Sequence, residues 1–516
     1  MSHSQITKRV GVVSFFTILS RITGLFRDMA IAYGFGTKMV ADAFFVAFRL
    51  PNLLRRLFAE GALTVAFVPI FSESLRRSPD EARQVSNATW SLMTAILCVV
   101  SGLGILLSPL LVRLTAWGFT ADPEKFQLTI FLTRVMFPYI LLVSLAALAM
   151  GVLNSLKHFA VPASSSIFMN LGVIVGALGI VHLFDPPVTG LAVGVLLGGV
   201  LQLVVHFPVM RRFGFLPRLS WNPHHPGVMK IVRMMGPASF GAAVYQFNVI
   251  ITTLLASFLP EGSVSYLWYA DRIMEFPLGI WGVALATVLL PSLSDHAADR
   301  DDRALKDTFQ YGLRMVFFLT LPAAGGLLVL GRPIVQLLFE HGTFTATSTL
   351  HTTQALTFFA IGLPFISAVR VTTNAFYSLQ DARTPVRIAI ASMAINLILS
   401  LILMGPLRHN GLALAISLSS VFNFSLQLWY FRKKVGPLGL RKIIRGLLKT
   451  SASTAIMMLI LFILYLEIVP FVLDLSAMFL VFGLIVLGVV LFFGIEWLLG
   501  GEEIREILQV VRRRRG

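Results

Sequence analysis

Residues 188–210 read VTGLAVGVLLGGVLQLVVHFPVM, without one Asp, Glu, Lys or Arg, and are closed by the pair Arg211-Arg212. A helix that crosses a bilayer needs about 20 mostly apolar residues, so this stretch predicts a membrane span, with the cations marking where it leaves the hydrocarbon. Cutting the chain at Pro, Gly and charge clusters yields fourteen such windows, roughly 10–35, 41–71, 87–115, 127–156, 161–183, 188–210, 229–259, 264–293, 308–330, 347–377, 385–404, 410–431, 450–469 and 475–499. An all-α, polytopic membrane protein of fourteen transmembrane helices follows.

Composition agrees. Of 516 residues, 56% are hydrophobic and 13% charged, half the share usual in globular chains, and the mean hydropathy is +0.81. A soluble enzyme carrying one anchor is excluded. Cys98 is the only cysteine, so neither a disulfide framework nor a thiolate metal site is available. The N-terminus lacks the short apolar core and small-residue cleavage site of a signal peptide.

The net charge of +17 has a topological cause. Lys and Arg gather in short cytoplasmic loops, and one face of the predicted topology holds 28 of the 42 cations. The other holds Lys38, Arg113, Lys125, Arg332 and Arg408. Both termini are therefore expected in the cytoplasm, with an even number of spans, and no nucleic-acid partner is needed. The run Arg512 to Arg515 reads as a solvated tail.

Displacing the chain on itself by 221 to 223 residues aligns three stretches. Ala62-Leu63, Pro69 and Ser72 meet Ala284-Leu285, Pro291 and Ser294; Ser155-Leu156 and Pro162 meet Ser378-Leu379 and Pro385; Gly190-Leu191-Ala192 meets Gly411-Leu412-Ala413. The offset covers six helices, an even number, so the two lobes share one orientation about an axis along the membrane normal, as in many transporters. The expected organisation is an N-terminal lobe (1–218), a C-terminal lobe (219–449), an appended helix pair (450–499) and a basic tail (500–516). The pair is lipophilic and suits a long acyl or prenyl tail or a plain scaffold.

Nine cations lie at membrane depth or near helix ends, six of them in helices 1, 2 and 8: Arg21, Arg27, Arg49, Arg55, Arg56 and Arg272. A cation at the bilayer centre costs about 2.5–3.5 kcal/mol on insertion scales, so these must face protein or water. Acids accompany them. Asp42, Arg49, Arg56 and Glu60 form one helical stripe, Asp271 and Glu275 are i, i+4 neighbours beside Arg272, and Asp28 follows Arg27. All six cations are arginine, whose planar fork pairs bidentately with phosphate or carboxylate. The expectation is a polar cavity between the lobes that binds an anionic headgroup; an ion-pair network locking the lobes, or snorkelling of Arg55 and Arg56, would use the same residues.

The motifs SRITGLFRD (20–28), DAFFVAFRLPNLLRRLFAEGA (42–62) and GSVS through YADRIMEFP (262–277) resemble the MurJ (MviN) lipid II flippase family of the MOP exporter superfamily, and the likeness covers nearly the whole chain. What the resemblance implies is movement of undecaprenyl-diphosphate-linked peptidoglycan precursor, lipid II, from the inner to the outer leaflet of the bacterial cytoplasmic membrane. By the same resemblance, Arg21, Arg27, Arg55 and Arg272 would hold the diphosphate. Asp42, Ser265, Asp271 and Glu275 would pair those cations or meet the sugar-peptide part, and Asn52 is a further substrate-binding position; Asp28, Arg49, Arg56 and Glu60, from the charge pattern itself, are the expected supporting ion pairs. The lipid tail would lie along helices 13 and 14. A monomer among membrane lipids is expected, with peptidoglycan synthesis proteins as partners.

Some members have a sodium site with acids on helices 7, 11 and 12. Here those windows offer Asn248, Asn396 and Asn423, so no cofactor is expected. Membrane potential is the expected drive, since it favours outward movement of an anion by about 2.3 kcal/mol per charge per 100 mV. Rival readings are another polysaccharide-lipid or drug exporter, or a prenyl-diphosphate membrane enzyme. The enzyme's metal would have to use Asp299-Arg300-Asp301-Asp302, which reads as a solvated loop. No Walker lysine motif is present, and no enzymatic activity is expected.

Overall fold

The computed structural model describes residues 3–55, 63–468 and 476–504. Every regular element among them is helical. This follows from the solvent: in hydrocarbon each backbone N–H and C=O must be satisfied within its own segment. Ten of the described helices are long and apolar enough to cross a membrane, eleven if the bent pair Ser263–Ile280 and Leu285–Ala298 is one span. The expected fourteen are not reached among the described residues. The windows at 10–35, 41–71 and 229–259 run into positions whose backbone or side chains lie outside the description.

The chain divides into two compact units. The first holds residues 1–265 and 341–344. It contains α1 (His3–Phe35), α2 (Met39–Arg55), α3 (Thr64–Arg77), α4 (Pro79–Leu106), α5 (Ser108–Thr115), α6 (Pro123–Met136), α7 (Tyr139–Ser155), α8 (Ala160–Ile174), α9 (Val188–Val204), α10 (Phe207–Arg212), α11 (Pro226–Ser257) and the first turn of α12 (Ser263–Pro277). Its core gathers Phe67 and Phe71 of α3, Val85 of α4 and Ile140 and Leu148 of α7, all fully buried. Helices α8 and α9 meet backbone to backbone. A Cβ on Gly172 would fall 2.2 Å from the nitrogen of Gly198, and one on Gly176, in the π-helical segment Val175–Gly179 that continues α8, would fall 2.6 Å from the Cα of Gly194. Small residues four apart on both helices permit this approach, the usual means of packing helices where lipid offers no hydrophobic drive.

The second unit holds the rest of α12, α13 (Ala284–Ala298), α14 (Asp302–Phe339), α15 (Ala346–Ser378), α16 (Arg383–Leu407), α17 (His409–Val435), α18 (Leu440–Ile468) and α19 (Ser476–Leu498). Phe309 of α14, Phe376 of α15 and Phe431 of α17 form its aromatic centre, with Phe309 and Phe431 ring centroids 4.5 Å apart.

The repeat reappears in the helix boundaries. The starts Pro79, Pro123 and Ala160 return 223 residues later as Asp302, Ala346 and Arg383. The caps return with them. Ser78 accepts from the Glu81 amide, as Asp301 does from Arg303 and Ala304. Asp122 accepts from Glu124 and Lys125, as Thr345 does from Ser348. At the other end, α7 and α15 both close through a left-handed residue, Lys157 (φ 63°) and Gln380 (φ 57°). The amides of His158 and Asp381 then return to Leu153 and Phe376, the six-residue Schellman closure. Asp301 of the acidic loop thus serves as a helix cap.

Candidate functional site

Arg27 sits on α1 against α8, and Asn170 fixes it there. The Asn170 amide nitrogen donates to the Ser20 carbonyl and to Thr23 Oγ1, each at 3.1 Å. That leaves its Oδ1 to accept from Arg27 Nη1 at 3.1 Å. On its other edge the guanidinium donates from Nε (3.0 Å) and Nη2 (2.7 Å) to Asp28 Oδ1. Asp28 is buried, and Arg27 keeps only 17% of its side chain accessible. A guanidinium held on two sides presents its remaining N–H groups in a fixed plane, as recognition of a phosphate requires. One turn and a half before it, Arg21 is half-buried and has no ion pair or hydrogen bond among the described residues.

Asp42, on the first turn of α2, is 1% exposed. Its Oδ2 accepts from Lys125 Nζ of α6 at 2.9 Å and from the Gly262 amide at 2.8 Å. Its Oδ1 accepts from the amide and hydroxyl of Ser265 at 2.9 and 2.6 Å. These four donors fill the acceptor sites of an ionised carboxylate. They also satisfy the opening amides of α12, which have no partner inside the helix. Lys125 is itself 7% exposed, with its ammonium 4.2 Å from the Phe119 ring centroid. The charge pattern assigns Lys125 to a loop; it stands in the first turn of α6, as the buried counter-ion of Asp42. The helical stripe on α2 does not pair Asp42 with Arg49, because seven residues rise about 10 Å along a helix.

Arg49 donates through Nη1 to Thr253 Oγ1 of α11. Arg55 donates through Nε to Asn52 Oδ1 at 2.8 Å, one turn back on the same helix. Arg56 and Glu60 lie outside the described residues. In the second unit, Arg272 of α12 donates to Glu275 Oε2 at 2.6 Å, and its guanidinium carbon stands 4.6 Å from the Trp268 ring centroid. Asp271 is half-buried beside it. The structure therefore brings together Arg27 with Asp28, Asp42 with Ser265, Asn52 with Arg55, and Arg272 with Glu275.

The sequence reading missed Asn170, Lys125, Thr253 and Trp268. Each is joined to its arginine or aspartate from another helix or, for Trp268, by one turn of the same helix. Asn423 of α17, one of the three amides on the sodium-site helices, accepts from Gln427 Nε2 at 2.8 Å.

Comparison with known proteins supplies the family. The family model described as "Lipid II flippase MurJ" matches residues 31–483. The chain is 39% identical to the lipid II flippase MurJ of Burkholderia cenocepacia, over 82% of this chain and 83% of that one. It is 34% identical to the probable lipid II flippase MurJ of Rickettsia prowazekii, over 95% and 96%. A solved lipid II flippase MurJ in an inward closed conformation superimposes with a TM-score of 0.79 at 26% identity, covering 96% of this chain and 99% of that chain. An inward-facing multidrug MATE transporter of the MOP superfamily shares the fold, with a TM-score of 0.70 at 15% identity over 83% and 98%. With its family model spanning most of the sequence and curated relatives above 30% identity along four-fifths or more of their length, this chain belongs to the MurJ family of lipid II flippases.

Proposed function

We propose that this protein carries lipid II from the cytoplasmic to the periplasmic leaflet of the bacterial cytoplasmic membrane by alternating access, changing its leaflet and not its covalent structure. Arg21, Arg27, Arg55 and Arg272 take the diphosphate in a common cavity. Asn52, Ser265, Asp271 and Glu275 orient those cations or meet the sugar-peptide part. Both termini face the cytoplasm, the protein works as a monomer, and peptidoglycan synthesis proteins are its partners.

The observation that carries this reading is the mounting of Arg27. A guanidinium within a membrane helix, held by Asp28 on one edge and by Asn170 on the other, suits an anion whose charge must leave water. The drive is the membrane potential, worth about 2.3 kcal/mol per charge per 100 mV for an anion moving outward.

The test is leaflet-specific detection of labelled lipid II in cells whose only copy is wild type, Arg27→Ala or Arg272→Ala, with membrane insertion checked in parallel. Both variants insert, and labelled lipid II stays inside. Full outward movement by either variant, or transport in depolarised vesicles at the polarised rate, would overturn the proposal.

A further inference from the structure

We infer that the first three turns of α18 form a docking site for the phosphate headgroup of an anionic phospholipid. Arg441, Arg445 and Lys449 stand four residues apart and line one open cleft of about 470 Å³ together with Ile444 and Leu448. Residues at i, i+4 and i+8 share a helix face, with cations about 6 Å apart along the axis. Ile444 and Leu448 lie beside them with 52% and 66% of their surface exposed.

The opposite face of α18 is the packed one. Ile443, Thr450, Ser453, Met457 and Leu461 are buried, and a Cβ on Gly446 would lie 2.9 Å from Glu503 Oε1. The cations therefore share the outward face with apolar side chains. That face continues along the helix through Ile456, Leu459, Ile463 and Leu466, all exposed. A cationic cleft that opens onto an apolar stripe matches an amphiphile with an anionic head and acyl chains.

Two of the three cations, Arg441 and Arg445, are uncompensated from within. The first turn of α18 contains no acid, and Arg441 and Arg445 make no ion pair among the described residues. Lys449 donates to the Gly500 carbonyl at 3.0 Å and lies within electrostatic reach of the Glu496 carboxylate. Arg441 stands in the first turn of α18, where a cation opposes the helix dipole, so its positive potential adds to that of the helix terminus instead of cancelling it. A phosphate in the cleft neutralises both, and basic sites at this level of a membrane protein bind lipid headgroups by the same chemistry.

The experiment uses the full chain in nanodiscs of phosphatidylcholine with a minor share of phosphatidylglycerol, followed by native mass spectrometry of retained lipid. The proteins are wild type, the double variant Arg441→Gln/Arg445→Gln, and a chain lacking residues 505–516. Wild type and the truncated chain retain phosphatidylglycerol over phosphatidylcholine. The double variant loses about 30-fold of that preference, which at about 1.4 kcal/mol per tenfold is about 1 kcal/mol per cation. An unchanged preference in the double variant would overturn the proposal, as would its loss in the truncated chain. Release of phosphatidylglycerol by millimolar inorganic phosphate would overturn the assignment to a lipid in favour of a soluble anion. None of these readouts depends on lipid II transport.

Discussion

Replacing Asp42 by Asn separates two uses of that carboxylate, as a clamp and as a substrate contact. The side chain accepts from Lys125, Gly262 and twice from Ser265 at 2.6–2.9 Å while 1% exposed. An amide offers one acceptor oxygen, turns an NH₂ toward existing donors and leaves the Lys125 ammonium buried without its counter-ion. Breaking a buried pair from one side costs about 3–5 kcal/mol. Lys125→Met leaves the carboxylate its three donors on α12 and removes one charged hydrogen bond, a cost of about 1.5–3 kcal/mol. The double variant is milder than the sum, with a coupling of at least about 1 kcal/mol, because the charged hydrogen bond between the two residues is lost once but counted in both single changes. The assay is reversible unfolding in mixed detergent and SDS micelles, followed by tryptophan fluorescence, for all four corners of the cycle. An Asp42→Asn protein within about 1 kcal/mol of wild type, or strict additivity with Lys125→Met, would refute the clamp and leave Asp42 as a substrate contact.

Other consequences follow from the same geometry. Asn170→Leu removes the anchor of one Arg27 edge without touching its charge; a lost charged hydrogen bond of about 1.5–3 kcal/mol predicts a ten- to hundredfold drop in lipid II transport at normal insertion, read in the leaflet assay. Gly194→Leu forces α8 and α9 apart, since even a Cβ there would sit 2.6 Å from the Cα of Gly176, and folded protein on size exclusion falls steeply; Gly326→Ala, with nothing within 4 Å, leaves it unchanged. Between α15 and α16, outside the spans, burial raises the Asp381 carboxyl, but Lys434 at 2.7 Å and the amide and hydroxyl of Thr384 outweigh it and hold it at about 2 against an ordinary 3.8. The unfolded chain binds more protons in that window, so this contribution is present above the ordinary value and is lost as pH falls through the folded one. Apparent melting temperature of wild type declines across that interval, and the part of the decline due to this group vanishes in Asp381→Asn.

Much of the fold is legible in the chain because its causes are local. Apolar windows, cap residues such as Ser78 and Asp122, and the left-handed closures after Ser155 and Ser378 act within one turn of where they stand. The repeat shows through for the same reason: Pro79, Pro123 and Ala160 start helices by local rules that their counterparts obey. The arginines of the site are visible too, since a charge inside an apolar window has to be accounted for. Their partners are another matter. Lys125 looks like an interfacial loop cation because it stands near a window edge, and only the packing of α6 on α2 carries its ammonium to Asp42. Asn170 sits unremarked in an apolar helix, and nothing in its neighbours announces Ser20, Thr23 and Arg27. Side chains that meet over 83 or 143 residues of chain leave no periodic trace.

The hydrogen bond between Asp42 and Ser265 spans 223 residues, the interval at which helix starts recur, and Arg49 and Arg272 keep the same interval and the same identity. Equivalent positions of the two repeats therefore meet each other, and they do so with unlike side chains: two aspartates there would repel, whereas an acid facing a hydroxyl that donates to it, with Lys125 on the acid's side alone, makes the contact attractive.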